Sequence, residues 1–223
     1  MRNFFDKQLD ELNIKLIEMG ILIENAIKDA TDSIIENDEE KARSAIDTEI
    51  VIDNKERDIE SMCYRLLLQQ QPVAGDLRTI SSAMKMVTDM ERIGDQAADI
   101  AHLSLETDFS VKKDIQVLAV MAKETSRMVT RAIDAFVRND YDLAVEVIDY
   151  DDVIDDRFQD IKEEIIKIIK DGITSDTDSE TMLDYMMVAK YYERIGDHAT
   201  NIAEWVIFSI TGSREVKTEQ PKC

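Results

Sequence analysis

The sequence contains few of the residues that interrupt helices or cross-link small folds. Its 223 residues include two prolines, six glycines and two cysteines. Cys63 lies in an apolar segment and Cys223 ends the chain, so no disulfide framework is indicated. The scarcity of proline and glycine, together with abundant Glu, Asp, Lys, Ile and Met, favours an all-helical protein.

Positive charge is also scarce. The chain has 27 Lys and Arg against 48 Asp and Glu, so its formal net charge is −21. Such a surface argues against nucleic acids and anionic membranes as partners, because both present negative phosphates. Metal cations and proteins with basic faces are the partners that it favours.

Long apolar runs are absent as well. No uncharged stretch approaches the roughly 18 residues that a membrane-spanning helix requires. The first eight residues lack the apolar core of a signal peptide. We therefore expect a cytoplasmic protein without membrane insertion.

The chain contains an internal duplication. Its two halves align without a gap at a constant offset of about 102 residues. Asn37-Asp38 falls on Asn139-Asp140, so the breaks between helices stay in register together with the helices themselves. Shared helical periodicity alone would not keep loops aligned, so we interpret the halves as two copies of one unit.

Apolar residues recur every three or four positions along six segments, which predicts six amphipathic helices. Pro72 to Gly75 ends the second segment, and Asp76 is predicted to cap the third. Connections between the segments are short, so neighbouring helices should run antiparallel. We predict an all-α fold of two tandem, duplicated antiparallel three-helix bundles, at residues 1–108 and 109–210, followed by a disordered tail at 211–223.

One acidic sequence motif, Glu-Arg-Ile-Gly-Asp, occurs at the same place in both halves, as Glu91–Asp95 and Glu193–Asp197. Carboxylates four residues apart lie on one helix face, where like charges disfavour the helix by a few tenths of a kcal/mol. Its mid-helix glycine costs about 0.5–1 kcal/mol relative to alanine. Repetition of an unfavourable pattern indicates a use for it.

The duplication exposes a second acidic pair in each half, Glu49 with Asp53 and Asp151 with Asp155. On a helical wheel these acids border the buried stripe, so antiparallel neighbours would bring four or more carboxylates into one patch. Hard metal ions prefer such oxygen ligands, and several carboxylates can bridge more than one ion. The alternative is a solvated acidic face paired with lysines, or with Arg92 and Arg194.

The chain contains two histidines, each close in sequence to an acidic motif. His102 lies near the acidic face on the wheel and could join a site, whereas His198 is expected at the surface. Ferritin-like di-iron proteins use a Glu followed three residues later by His on facing helices, and this chain offers only Asp99 with His102 for that pattern. Gly94 and Gly196 are expected to permit close approach of neighbouring helices.

The segment Gln71-Pro-Val-Ala-Gly-Asp-Leu-Arg78 and the two Glu-Arg-Ile-Gly-Asp copies resemble the PhoU family of phosphate-uptake regulators. The resemblance extends from about Phe4 to Ile210. It implies a cytoplasmic negative regulator of phosphate-starvation signalling, associated with the phosphate ABC transporter ATPase and a phosphate-sensing histidine kinase. It also implies multinuclear clusters of iron or zinc on the acidic motifs, and a homodimer is the expected oligomer.

Carried over to this sequence, the resemblance implies one ligand set in each half and a third motif position that differs between them. These ligands are Glu49, Asp53, Glu91, Asp95 and Asp99 in the first half, and Asp151, Asp155, Glu193, Asp197 and Asn201 in the second. Because Asn carries no charge, the two sites need not bind the same number or type of ions. The competing hypotheses are a di-iron-type oxidase or iron-storage protein, and a purely structural acidic protein; we expect no enzymatic activity.

Overall fold

The computed structural model describes residues 2–70, 72–109, 116–172 and 176–216. Over these ranges the chain forms α-helices and no β-strand. The helices are α1 (Arg2–Glu36), α2 (Glu39–Gln70), α3 (Ala74–Glu106), α4 (Gln116–Arg138), α5 (Tyr141–Asp149), α6 (Asp151–Gly172) and α7 (Asp176–Thr211). The predicted all-α class is confirmed, and helices α5 and α6 together form the predicted fifth helix.

The helices form two bundles that pack side by side. Helices α1, α2 and α3 contact one another in the first bundle, and α4 to α7 form the second. Between the bundles α3 lies along α7, and α1 contacts α4. Helices α3 and α7 are antiparallel, since Arg78 near the start of α3 donates to the Ser209 carbonyl, while Thr107 after its end bonds to Asp184. One continuous apolar core joins the bundles, and the predicted boundary at 108/109 stays a prediction.

The duplicated Asn-Asp breaks have the same local cause in both halves. Asn37 and Asn139 adopt left-handed backbone conformations, with φ of 53° and 52°, which Asn tolerates better than most residues. The next residues cap the following helices: Asp38 accepts from the N–H groups of Glu40 and Lys41, and Asp140 accepts from that of Leu143. Each break therefore ends one helix and starts another within two residues.

Two predicted details are corrected. Helix α3 begins at Ala74 after Val73, which makes no side-chain capping bond. Asp76 therefore lies in the first turn, where a negative charge suits the helix dipole, and the prediction that it caps α3 is wrong. The fifth predicted segment is not one continuous helix. The N–H of Tyr150 is shared between the Glu146 and Val147 carbonyls, and this turn divides the segment into α5 and α6.

Glycine permits close contact between helices at equivalent places in the two bundles. A Cβ atom on Gly94 of α3 would lie 3.1 Å from two carbon atoms of Ile52 on α2. A Cβ atom on Gly196 of α7 would lie 3.3 Å from Ile154 on α6. Both isoleucines are fully buried, so neither has room to move. The expected role of these glycines is confirmed.

The last described residues of the chain lie just after α7. Arg214 pairs with Glu204, and its guanidinium lies 4.4 Å from the Trp205 ring centroid, so the predicted tail begins with an ordered turn. Its remaining residues, 217–223, lie outside the described residues. No helix in the described ranges is both long and apolar enough to cross a bilayer.

We predict opposite effects for alanine at two glycines of α3. Gly94→Ala should lower the free energy of unfolding by roughly 1–2 kcal/mol, because overpacking of Ile52 outweighs the gain in helix propensity. Gly75→Ala is the matched control, since nothing lies within 4 Å of its added Cβ, and it should stabilise by about 0.4–1 kcal/mol. Urea denaturation measures both values, and equal stabilisation by the two variants would contradict the close α2–α3 contact.

Candidate metal centre

Five carboxylates on facing sides of α2 and α3 form what we call the first cluster. Glu49, Asp53 and Glu56 follow one another at helical spacing on α2, and Glu91 and Asp95 do so on α3. All five residues are half-buried. The close contact at Gly94 lies between Glu91 and Asp95 and brings their helix face against that of α2.

Three of these acids converge closely. Carboxylate oxygen atoms of Asp53, Glu56 and Glu91 all lie within 4.8 Å of one another. Within the described ranges this is the one group of three acidic, histidine or cysteine side chains that approach so closely. Arg57 donates to Asp53 at 2.7 Å, but its side chain is 68% exposed, and such surface pairs stabilise by only about 0.3–0.5 kcal/mol. Most of the charge in the cluster thus remains unbalanced.

Burial and mutual repulsion make this cluster resist ionisation. Burial raises the pKa of Glu91 to about 7, and the negative charges of Asp95, Glu56 and Asp53 add to the effect. The pKa values of Glu49 and Asp95 are also raised, in each case first by burial and then by neighbouring acids. A bare cluster therefore favours either a bound proton or a bound cation.

Glu56 was not among the residues predicted from the sequence. Burial also raises its pKa, and Thr88 on α3 opposes that shift through a hydrogen bond. The residue lies three positions after Asp53, and this spacing alone would have placed it on the acidic face. Its counterpart in the second half is Phe158, so the duplication does not mark Glu56 as one of a repeated pair of acids.

The third position of each acidic motif faces the other bundle. Asp99 accepts a hydrogen bond from Tyr191 of α7, and the Asn201 amide lies 3.5 Å from Asp89 of α3. Asp89 and Tyr191 are equivalent in the duplication, so the two contacts are related copies. Asp99 still contributes to the raised pKa of Asp95, but neither third-position residue belongs to the converging group.

The two histidines have different surroundings. His102 is exposed, yet it is close enough to the first cluster to lower the pKa of Glu49. Nδ1 of His198 lies 2.9 Å from a carboxylate oxygen of Asp89, and both side chains are only 12% exposed. The prediction that His198 lies at the surface is wrong, because α3 covers this side of α7.

The equivalent acids of the second half form what we call the second cluster. Asp151 and Asp155 lie on α6, and Glu193 and Asp197 lie on α7. Asp155 and Asp197 are exposed, whereas their counterparts in the first cluster are half-buried. Burial raises the pKa of Asp151 to about 6, and the nearby Thr200 hydroxyl opposes the shift. These acids influence one another, but no three of them converge as in the first cluster.

The second cluster also contains its own cation. The ammonium group of Lys190 pairs with the carboxylate of Glu193, one turn further along α7. It also lies 5.3 Å from the ring centroid of Phe158 on α6. Burial, and then the negative charge of Glu193, raise the pKa of Asp197, and the ammonium group of Lys190 opposes that shift, so it partly offsets the repulsion among the acids.

A family model described as the PhoU domain matches the chain twice, at residues 16–104 and 118–206. The chain is 35% identical to the phosphate-specific transport system accessory protein PhoU homolog of Clostridium acetobutylicum, covering 96% of this chain and 97% of that protein. It is 34% identical to the homolog of Pseudomonas aeruginosa, covering 94% and 86%.

Two solved structures are similar throughout. The crystal structure of PhoU from Pseudomonas aeruginosa superposes with a TM-score of 0.86 at 32% identity, covering 94% of this chain and 100% of that one. The crystal structure of the phosphate transport system regulatory protein PhoU from Streptococcus pneumoniae gives a TM-score of 0.87 at 27% identity, covering 95% and 99%.

We predict that the metal-free protein loses stability between about pH 5 and pH 8. The pKa of Glu91 rises from 4.5 to about 7 on folding, so its contribution is complete below pH 4.5 and is lost as the pH passes 7. Glu91→Gln should therefore be less pH-dependent than the wild type and melt at a higher temperature at about pH 8. Thermal melts in chelator measure this, with exposed Glu106→Gln on the same helix as control; equal pH slopes in all three proteins would contradict it.

Proposed function

The chain belongs to the PhoU family, and we propose that it is an accessory and regulatory protein of phosphate transport. The observation that carries this proposal is the tandem match of two PhoU domains together with nearly complete coverage of the Clostridium acetobutylicum relative. That protein is named as an accessory protein of the phosphate-specific transport system. The agreement in fold with two PhoU crystal structures supports the same assignment.

In its finer form, the proposal is a non-enzymatic negative regulator of phosphate uptake and phosphate-starvation signalling. The protein would act in the cytoplasm as a homodimeric scaffold between the ATPase of the phosphate ABC transporter and a phosphate-sensing histidine kinase. Its net charge of −21 supports docking to basic faces of such partners. The two bundles share one core, which supports a rigid body that presents two separate surfaces.

The residues of the first cluster fit a bound metal. Asp53, Glu56 and Glu91 supply converging oxygen atoms, and Glu49 and Asp95 flank them. Oxygen donors suit hard cations, which favours iron, and zinc also accepts Asp and Glu ligands. Five carboxylates can hold more than one ion. When bound, the metal would supply positive charge that cancels the repulsion between these acids.

Metal binding would couple the first cluster to the rest of the fold. Its ligands come from both α2 and α3, so a bound ion would fasten these helices to each other. Helix α3 is also the helix that lies against α7 of the second bundle. A bound ion would therefore stabilise the surface around the cluster and the bundle interface behind it, which is the role we propose for it in docking.

Iron or zinc should raise the melting temperature of the chelated protein. At a free concentration of 100 times Kd, one site stabilises by about 2.7 kcal/mol, or very roughly 5–10 °C for a chain of this size. Asp53→Asn with Glu91→Gln should abolish the shift. The matched control changes exposed acids on the same two helices, Asp58→Asn with Glu106→Gln, and should retain it. Equal shifts in both double variants would contradict binding at the first cluster.

The scaffold role predicts direct binding to two partners. Biolayer interferometry with the purified transporter ATPase and the cytoplasmic part of the kinase should detect both complexes with metal-loaded wild type. The Asp53→Asn, Glu91→Gln variant should bind at least one partner about tenfold more weakly, equivalent to roughly 1.4 kcal/mol, while the exposed-acid control binds normally. Failure of the wild type to bind either partner, or oxidase turnover that depends on Glu91, would contradict the proposal.

A further inference from the structure

We propose that the second cluster is partly neutralised by a cation of the protein itself, Lys190, and that this residue disfavours metal ions there. The two halves of the duplicated chain would then have different roles, with one open to metal and the other closed. The inference deepens the metal role proposed above for the first cluster, but it depends on residues of the other bundle. It can therefore be tested separately.

The side chain of Lys190, which is 44% exposed, contacts groups on two helices. Its side chain reaches along α7 to pair with Glu193, whose own side chain is only 13% exposed. The ring of Phe158 on α6 also lies beneath the ammonium group, with 5.3 Å to the ring centroid. An ammonium held by both a carboxylate and an aromatic face is a stable counter-ion for an acidic cluster.

The two residues that form this arrangement are replaced at the equivalent positions of the first half. The counterpart of Lys190 in the first half is Thr88, and the counterpart of Phe158 is Glu56. In the first cluster, therefore, the same two places supply a hydroxyl and a fifth carboxylate. In the second cluster they supply a positive charge and a ring that holds it. Both exchanges reduce the negative charge that a metal would encounter.

The first cluster has no cation held in this way within the described ranges. Arg57 pairs with Asp53, but its side chain is 68% exposed, against 44% for that of Lys190. Asp53, Glu56 and Glu91 still converge despite this pair. In the second cluster, an ion bound at Glu193 would lie close to the ammonium group of Lys190, which pairs with Oε2 of that residue, and two cations at such a separation repel each other.

Exposure adds to the difference between the clusters. Asp155 and Asp197 are more exposed than their counterparts Asp53 and Asp95, although burial still raises the pKa of Asp197. A metal ion gains less from solvated, separated carboxylates than from half-buried ones that converge.

The test uses zinc as the probe and removes the first cluster from the measurement. In a Glu56→Gln, Glu91→Gln background, equilibrium dialysis with elemental analysis should find no stoichiometric zinc. Adding Lys190→Thr and Phe158→Glu, which installs the residues of the first half, should give about one zinc ion per chain. Lys190→Arg in the same background retains the charge and should remain free of zinc.

Two results would overturn the inference. One is stoichiometric zinc at the second cluster with Lys190 in place, identified by its loss on Glu193→Gln. The other is no zinc in the Lys190→Thr, Phe158→Glu variant although circular dichroism shows the helical fold. Because Phe158 contacts the core, Lys190→Thr alone is measured as well, and it should bind zinc at least tenfold more tightly than the background.

These outcomes are distinct from failure of the proposed function. If wild type binds no metal but the Lys190→Thr, Phe158→Glu variant does, the metal role of the first cluster is lost and the inference about Lys190 stands. If wild type binds metal through Glu91 while removal of Lys190 changes nothing, the metal role of the first cluster stands and the inference about Lys190 is lost. Each half of the duplication is thus tested by its own residues.

Discussion

Close packing of α2 against α3 is the constraint on which the first cluster depends. Ile52 occupies the space that a side chain at position 94 would need, so the two helices meet where both present acids. The buried core holds this arrangement against the repulsion of Asp53, Glu56 and Glu91. The raised pKa of Glu91, to about 7, reflects that opposition. The metal ion proposed for this cluster would reduce that repulsion.

The duplication preserved the architecture while the chemistry of its two copies changed. Both bundles retain the Asn-Asp turn, the glycine contact and the paired acids. The interface between them also repeats itself, because antiparallel α3 and α7 exchange equivalent contacts at Asp99 with Tyr191 and at Asn201 with Asp89. What changed is the content of the acidic face, where Lys190 supplies one copy with a cation. The two similar halves thereby differ in the charge of their acidic faces.

The sequence predicted those features that depend on local or periodic rules. The break at Asn37 follows from backbone preference, and the pairing of acids follows from helical spacing. Glu56 was not predicted because only acids present in both halves were considered, and its counterpart in the second half is Phe158. The burial of His198 depends on how the two bundles pack, which no local pattern specifies. The role of Lys190 depends on Phe158 of another helix, so the sequence alone shows only a lysine near a glutamate.

Anomalous diffraction from crystals of the wild-type protein loaded with zinc tests the central claim most directly. It locates each ion and its ligands without relying on a change in stability or partner binding. The account predicts an anomalous peak bounded by Asp53, Glu56 and Glu91 between α2 and α3, and none between α6 and α7. Peaks of equal height in both bundles, or a peak at Glu193 alone, would contradict it.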